Sequence, residues 1–323
     1  MSEKLTRRTF VAQSIAASSV AALAMSANAA DSPGANPSTA PKSDPLPCGK
    51  IGDLSVSRVL LGGNLLTHFT HSRDLQYVYN LAAHYNTDEK ILETLAIAEQ
   101  HGINTLSVHT VPNVLALLRK YRREQGGKIQ WIICPTAQPD KEWDAYVKQV
   151  RELADDGTDA IYLWGVNTDR LFAEGKIDVI AKAIDVVKEQ GVPSGLGAHD
   201  LNAVIECEKK KVNADFYIKT FHHHNYPSGP KPDELKGPYD ENPGYWCRDP
   251  QKTIDVMKAV EKPWIAFKIM AAGAIPPKDA FEYAFRNGAD HLLVGMFDYE
   301  IADDVALAKG VLADTKRERA WRS

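Results

Sequence analysis

The segment FYIKTFHHHNYP, residues 216–227, sets a lysine and three consecutive histidines at the end of an apolar run. A second lysine, Lys268, stands in a comparable run, WIAFKIM at 264–270. A lysine walled by apolar neighbours has to reach water or a ligand, so Lys219 and Lys268 are read as pointing into a shared interior. An ammonium there binds anionic or carbonyl groups, stabilises a developing oxyanion or forms a Schiff base. Histidine supplies a second set. Thr105, Ser107 and His109 share one phase of NTLSVH, Gly195, Gly197 and His199 share one phase of GLGAHD, and Lys219, Phe221 and His223 share a third. One inward imidazole from each run, His109, His199 and His223, is the stock for a Zn, Mn or Fe site with open positions, or for proton transfer without a metal. Asp200 or Glu206 would add a carboxylate, as a ligand or to orient a histidine. Against a metal, no HxH or HExxH spacing supports a site, and three adjacent histidines cannot all face one ion. Against a catalytic lysine pair stands the plain alternative that both pair with carboxylates of neighbouring strands.

The elements that must position these groups follow from periodicity. Short apolar runs at 58–63, 103–109, 130–136, 160–165, 193–199, 216–221, 264–270 and 291–296 alternate with amphipathic stretches such as TDEKILETLAIAEQHG and PKDAFEYAFRNG, which end at glycine. Thr87 is the expected N-cap of the first of these. Eight such units predict an α/β protein made of a single (β/α)8 TIM barrel with a short N-terminal hairpin, ahead of an open doubly wound sheet. Chemistry in that fold sits where the strands end, which selects Lys219, Lys268, His199 and Asp200 as catalytic candidates. Asn64, His109, Trp164, His222 and Asp298 are candidates to contact the substrate. The long loops 64–86 and 222–249 are expected to cover the site. Gly273 in IMAAGAIPP reads as a turn before a helix, but Pro276 and Pro277 remove two donors that a phosphate cup would need.

The ends and the composition set bounds. Residues 31–47, DSPGANPSTAPKSDPLP, have no apolar period and read as part of a disordered linker over 30–47, which leaves 48–323 for the barrel. Removing residues 1–29 takes three of 38 basic and one of 42 acidic residues, so the net charge goes from −4 to −6. A mildly acidic body with no basic stripe argues against nucleic acid as a partner. Four scattered cysteines, Cys48, Cys134, Cys207 and Cys247, make no disulfide framework. The opening residues have a charged start, an apolar run over 11–25 and Ala27-Asn28-Ala29 before Ala30, the pattern of a removable export signal rather than a stable membrane anchor. TRRTFV, with Arg7, Arg8 and Phe10, resembles the twin-arginine signal. That resemblance implies a folded, exported, periplasmic protein whose partner during translocation is the twin-arginine (Tat) export machinery.

LPCGKIGDLSVSRVLLGGN at 46–64 resembles the hairpin and first strand of aldo/keto reductases, and GINTLSVHT at 102–110 and TDAIYLWGVNTD at 158–169 are similar to that family's second and fourth strands. The resemblance implies a reductase barrel whose Asp, Tyr, Lys and His tetrad sits at the ends of strands two, three and four. Here those positions hold Ser107, a loop VHTVPN without tyrosine, CPTAQ without lysine, and Trp164. A tyrosine acid assisted by a lysine cannot operate on these residues. The leading expectation is therefore isomerase- or lyase-type proton transfer on a small hydroxy-carbonyl or sugar-like substrate, with metal assistance from Zn, Mn or Fe as an option. NADP-dependent reduction with a relocated acid stands second, and a non-catalytic ligand-binding barrel third.

Overall fold

The computed structural model describes residues 45–323; the expected export signal and the linker up to residue 44 lie outside the described residues. Leu46, assigned above to the linker, is only 3% exposed and packs into the core. An antiparallel hairpin comes first, β1 (Cys48–Ile51) against β2 (Leu54–Ser57), its turn made by Gly52 at a φ of 59°. Eight parallel strands follow: β3 (Val59–Gly62), β4 (Thr105–His109), β5 (Gln130–Cys134), β6 (Ala160–Leu163), β7 (Ser194–Ala198), β8 (Phe216–Thr220), β9 (Trp264–Phe267) and β10 (His291–Val294). They close into a barrel in chain order, with β10 hydrogen-bonded to β3. All eight fall inside the runs expected from the sequence.

Helices cover the outside: α1 (Gln76–Tyr85), α2 (Asp88–Gln100), α3 (Pro112–Glu124), α4 (Trp143–Asp155), α5 (Gly165–Ala173), α6 (Ile177–Lys188), α7 (Leu201–Lys209), α8 (Pro250–Ala259), α9 (Pro277–Arg286) and α10 (Ile301–Asp314). Thr87 caps α2 by accepting from the Lys90 amide, and α2 and α9 stop where Gly102 and Gly288 take φ values of 89° and 103°, open only to glycine at low cost. Among the described residues no helix is long and apolar enough to cross a membrane.

Strand alternation divides the core into two layers. Leu60, Ile132, Phe216, Ile218, Ile265 and Leu293 fill the barrel, and Ile51 and Val56 of the hairpin close its lower end against them. Val59, Leu61, Leu106, Tyr217 and Trp264 face the helices in the other layer. Asp290, fully buried before β10, accepts from the Trp264 amide at 2.9 Å and from Arg319 at 2.6 Å, fixing the carboxy-terminal tail under the barrel. The loops 63–75 and 221–249 lie at the other, upper end. His71 of the first loop donates from Nδ1 to Glu241 of the second at 2.8 Å, and Arg73 donates to Ser228 at 2.6 Å.

Candidate active site

A cavity of about 160 Å³ opens at the carboxyl ends of the strands. Asn64, His109, Trp164, His199 and Lys268 line it from the barrel, while Phe69 and His71 from one loop and Tyr239 and Glu241 from the other roof it.

His199 follows β7, whose sequence SGLGA explains its seat. A Cβ on Gly197 would come within 2.9 Å of the Gly165 amide, so only glycine lets the fifth barrel strand approach the chain leaving the fourth. The His199 ring then lies beside Gly165 with Nδ1 2.7 Å from Oδ2 of Asp169, on the first turns of α5. Asp169 also accepts the backbone amides of His199 and Asp200 at 3.0 Å, which fixes its carboxylate. Burial, and next the charge of Lys268, pull the His199 pKa down to about 4 against the opposing pull of Asp169. The ring is therefore neutral at pH 7, with its proton on Nδ1 facing the carboxylate. Nε2 is buried and has no hydrogen-bond partner among the described residues, so an acceptor lone pair is left for a ligand. Tyr239 packs on the same ring at 4.5 Å between centroids.

Lys268 comes one residue after β9. Continued as a strand it would face outward with Trp264 and Ala266; instead its φ is 55°, and the turned backbone delivers the side chain to the cavity. Ala271 and Ala272 share the left-handed conformation, which costs about 1–3 kcal/mol for each non-glycine residue and recurs at functional sites. The rings of Trp246, Phe267 and Tyr239 lie 5.2, 5.5 and 5.8 Å from Nζ. Burial lowers the Lys268 pKa to about 7, opposed by Glu241 and Asp169. The aromatic faces favour the ammonium and the dry surroundings disfavour it, leaving a group that changes charge near neutrality.

His109 faces the cavity, as its phase with Thr105 and Ser107 predicts, lying nearly parallel to Trp164 at 6.0 Å and edge-on to Phe69 at 5.5 Å. Burial lowers its pKa as well.

Other candidates lie elsewhere. Lys219 is turned out of the barrel, because Ile218 and Thr220 take the inward positions of β8; its ammonium donates to the Thr220 carbonyl and hydroxyl at 2.8 and 3.0 Å. The outward phase carries His223 away too, 3.3 Å from Asp279 and edge-on to Tyr283. His109, His199 and His223 therefore do not converge, and among the described residues no three His, Cys, Asp or Glu side chains are arranged to hold a metal ion. His222 is 1% exposed; Nδ1 donates to the His223 carbonyl at 2.8 Å while Nε2 accepts from the Trp246 and Cys247 amides at 2.9 and 3.2 Å. It holds the long loop in place instead of meeting a ligand. Asp200 caps α7 through the Asn202 amide at 2.8 Å, so the carboxylate beside His199 is Asp169. Asp298 accepts from Tyr85 and Lys90 at 2.7 and 3.1 Å, joining α1 and α2 to the end of β10 outside the cavity. Cys247 is buried, with Sγ 3.5 Å from the Thr253 hydroxyl. Asp169, Tyr239 and Glu241 are site residues that the sequence did not single out. Only the TD ending of the strand-four motif and the long-loop rule pointed toward them.

The fold and the site together define a (β/α)8 barrel with a histidine–aspartate pair and a buried lysine at its upper mouth. No protein-family model matches the sequence, and no curated protein is significantly similar to it. Among solved structures, the chain is similar to a Pseudomonas aeruginosa protein provisionally named an aldo-keto reductase, with a TM-score of 0.56 and 17% identity over 82% of this chain and 95% of that one. It is also similar to a point mutant of Gox0644 in complex with NADPH, with a TM-score of 0.51 and 10% identity over 81% and 86% of the two chains. At these identities the likeness is one of fold. The residues that the sequence resemblance matched to the reductase tetrad include Ser107, within β4, and Trp164, one residue after β6.

Proposed function

We propose that the protein is an enzyme that moves a proton on the carbon beside the carbonyl of a small hydroxy-carbonyl or sugar-like substrate, in isomerase- or lyase-type chemistry. The observation that carries this reading is the neutral, Asp169-oriented His199, with an unpartnered Nε2, in the wall of the cavity that Lys268 also lines. In this scheme Nε2 removes the proton, Asp169 stabilises the imidazolium that results, and the Lys268 ammonium takes the negative charge that grows on the carbonyl oxygen. The roof formed by Phe69, Tyr239 and the His71–Glu241 pair keeps water away, which strengthens both electrostatic contacts. A metal is not needed for these steps.

The test is proton exchange. A panel of three- to six-carbon hydroxy-carbonyl compounds incubated with the protein in D₂O is expected to give at least one that gains deuterium beside its carbonyl. Asp169→Asn should slow that exchange by roughly 10²–10⁴-fold, the range for loss of a working acid–base group. Exchange unaffected by Asp169→Asn and by His199→Gln would overturn the assignment.

NADP-dependent reduction is the second reading, favoured by the NADPH held by one fold neighbour and by an apolar cavity of about 440 Å³ that adjoins the first through Asn64, His71 and Lys268. Its lining does not suit the phosphates of a dinucleotide: Lys268 is the one Lys or Arg in it, Glu300 and Asp304 are acidic, and Pro276 and Pro277 stand at the start of α9. Titration of NADPH fluorescence decides it, and saturable quenching at micromolar protein would favour reduction.

A further inference from the structure

A second cavity, of about 90 Å³, lies on the outer side of β8, behind His199. Lys219, Lys236, Arg248 and Lys252 line it, together with Asp200, Asp249 and the start of α7. Lys219 is the unusual member. It is 1% exposed, and its ammonium reaches only the neutral carbonyl and hydroxyl of Thr220. Among the described residues no carboxylate lies within ion-pairing distance of it. The two acids in the wall do not fill that role: Asp200 is engaged by the Asn202 amide and side chain at 2.8 and 3.0 Å, and Asp249 is 3.9 Å from Arg248. Lys252 contacts only Asn202, at 3.4 Å.

A buried ammonium without a counter-ion either loses its proton or keeps it by binding an anion. Deprotonation accounts for Lys219 alone; it gives no reason for Lys236, Arg248 and Lys252 to border the same small space, where their mutual repulsion is a cost. The start of α7, a nine-residue helix, adds its positive dipole end, in part offset by the Asp200 cap. A water needs about 10–15 Å³ of such space, so the cavity has room for one planar or tetrahedral anion with a few waters.

We propose that this side cavity binds a small oxyanion, a carboxylate or an inorganic phosphate or sulfate, as the missing counter-ion of Lys219, with Arg248 and Lys252 at its mouth. The site is separate from the proton-transfer reading above and stands if that reading fails.

Thermal unfolding of the full chain tests it, with sodium phosphate, sodium sulfate or sodium acetate compared with sodium chloride at equal ionic strength. At about 10 mM, at least one oxyanion should raise Tm by about 2 °C or more beyond chloride, since a ligand that binds only the folded state stabilises it by mass action. Phosphate or sulfate acting alone marks a free inorganic ion, and acetate acting as well marks a carboxylate site. The increment should vanish in Lys219→Met. Because that variant can fail to fold, the exposed pair Arg248→Ala/Lys252→Ala is the second arm, in which the increment should shrink by at least half. No oxyanion effect beyond chloride, or an increment unchanged in the double variant, overturns the proposal.

Discussion

Replacing Lys268 with methionine should make the protein more stable while removing the proposed proton-transfer activity. The ordinary lysine value is 10.5 and that of Lys268 in the folded chain is about 7, a gap of about 3.5 pH units (10.5 − 7) caused first by burial. Between these two values the unfolded chain holds the Lys268 proton and the folded chain does not, so wild-type stability rises with pH across that window, by about 1.4 kcal/mol per pH unit at most. Below pH 7 the folded state carries the full penalty of a buried ammonium, which integrates to an upper bound of about 5 kcal/mol; cation–π contacts with Trp246, Tyr239 and Phe267 oppose it by about 0.5–2 kcal/mol. Methionine fills a similar space, keeps the apolar stem and does not titrate. The stability gained by Lys268→Met should therefore be greatest at pH 6 and smaller by about 2–3 kcal/mol at pH 9. Urea unfolding of both proteins at pH 6, 7, 8 and 9 reads this difference directly and requires no substrate. A stability difference that stays flat from pH 6 to 9 would refute the reasoning, because it would mean that Lys268 keeps its proton in the folded chain throughout.

The same group sets the pH dependence of the proposed reaction: kcat/KM should hold between about pH 5 and 6.5 and fall about tenfold per pH unit above 7 as the ammonium is lost, whereas a rise through pH 7 would make Lys268 a neutral nucleophile. Asp290→Ala should cost about 3–5 kcal/mol in urea unfolding, since it leaves the buried Arg319 unpaired and two backbone amides without an acceptor. His71→Ala should release the clasp between the two roof loops; amide exchange in 63–75 and 221–249 is expected to quicken while that of the barrel strands stays the same, and unchanged loop protection would show that the His71–Glu241 contact does not hold the roof.

The barrel itself was legible in the chain. Eight apolar runs, glycine stops and helical periods each reflect a local rule, and all eight runs became strands in the expected order. His109 and His199 were also legible as inward groups, because polar residues or glycines repeat on one phase of β4 and β7 and apolar residues on the other. Lys219 was not. FYIKTF is apolar on both phases, as a strand packed between barrel interior and helices must be, so alternation carries no sign of which face is which, and the phase assigned to it was the outward one. His223 and the three-histidine metal set moved with it.

The sequence by itself determined the fold class, the end of the barrel that carries the polar groups, and two of the histidines there, because these depend on patterns within single segments. Only the tertiary structure decided the partnership. It joined Asp169 to His199 across thirty residues, folded Tyr239 and Glu241 over the mouth, and placed Lys268 inside through one left-handed backbone turn. Such contacts are set by how the whole barrel closes, and a closure of eight strands is not encoded in any one of them.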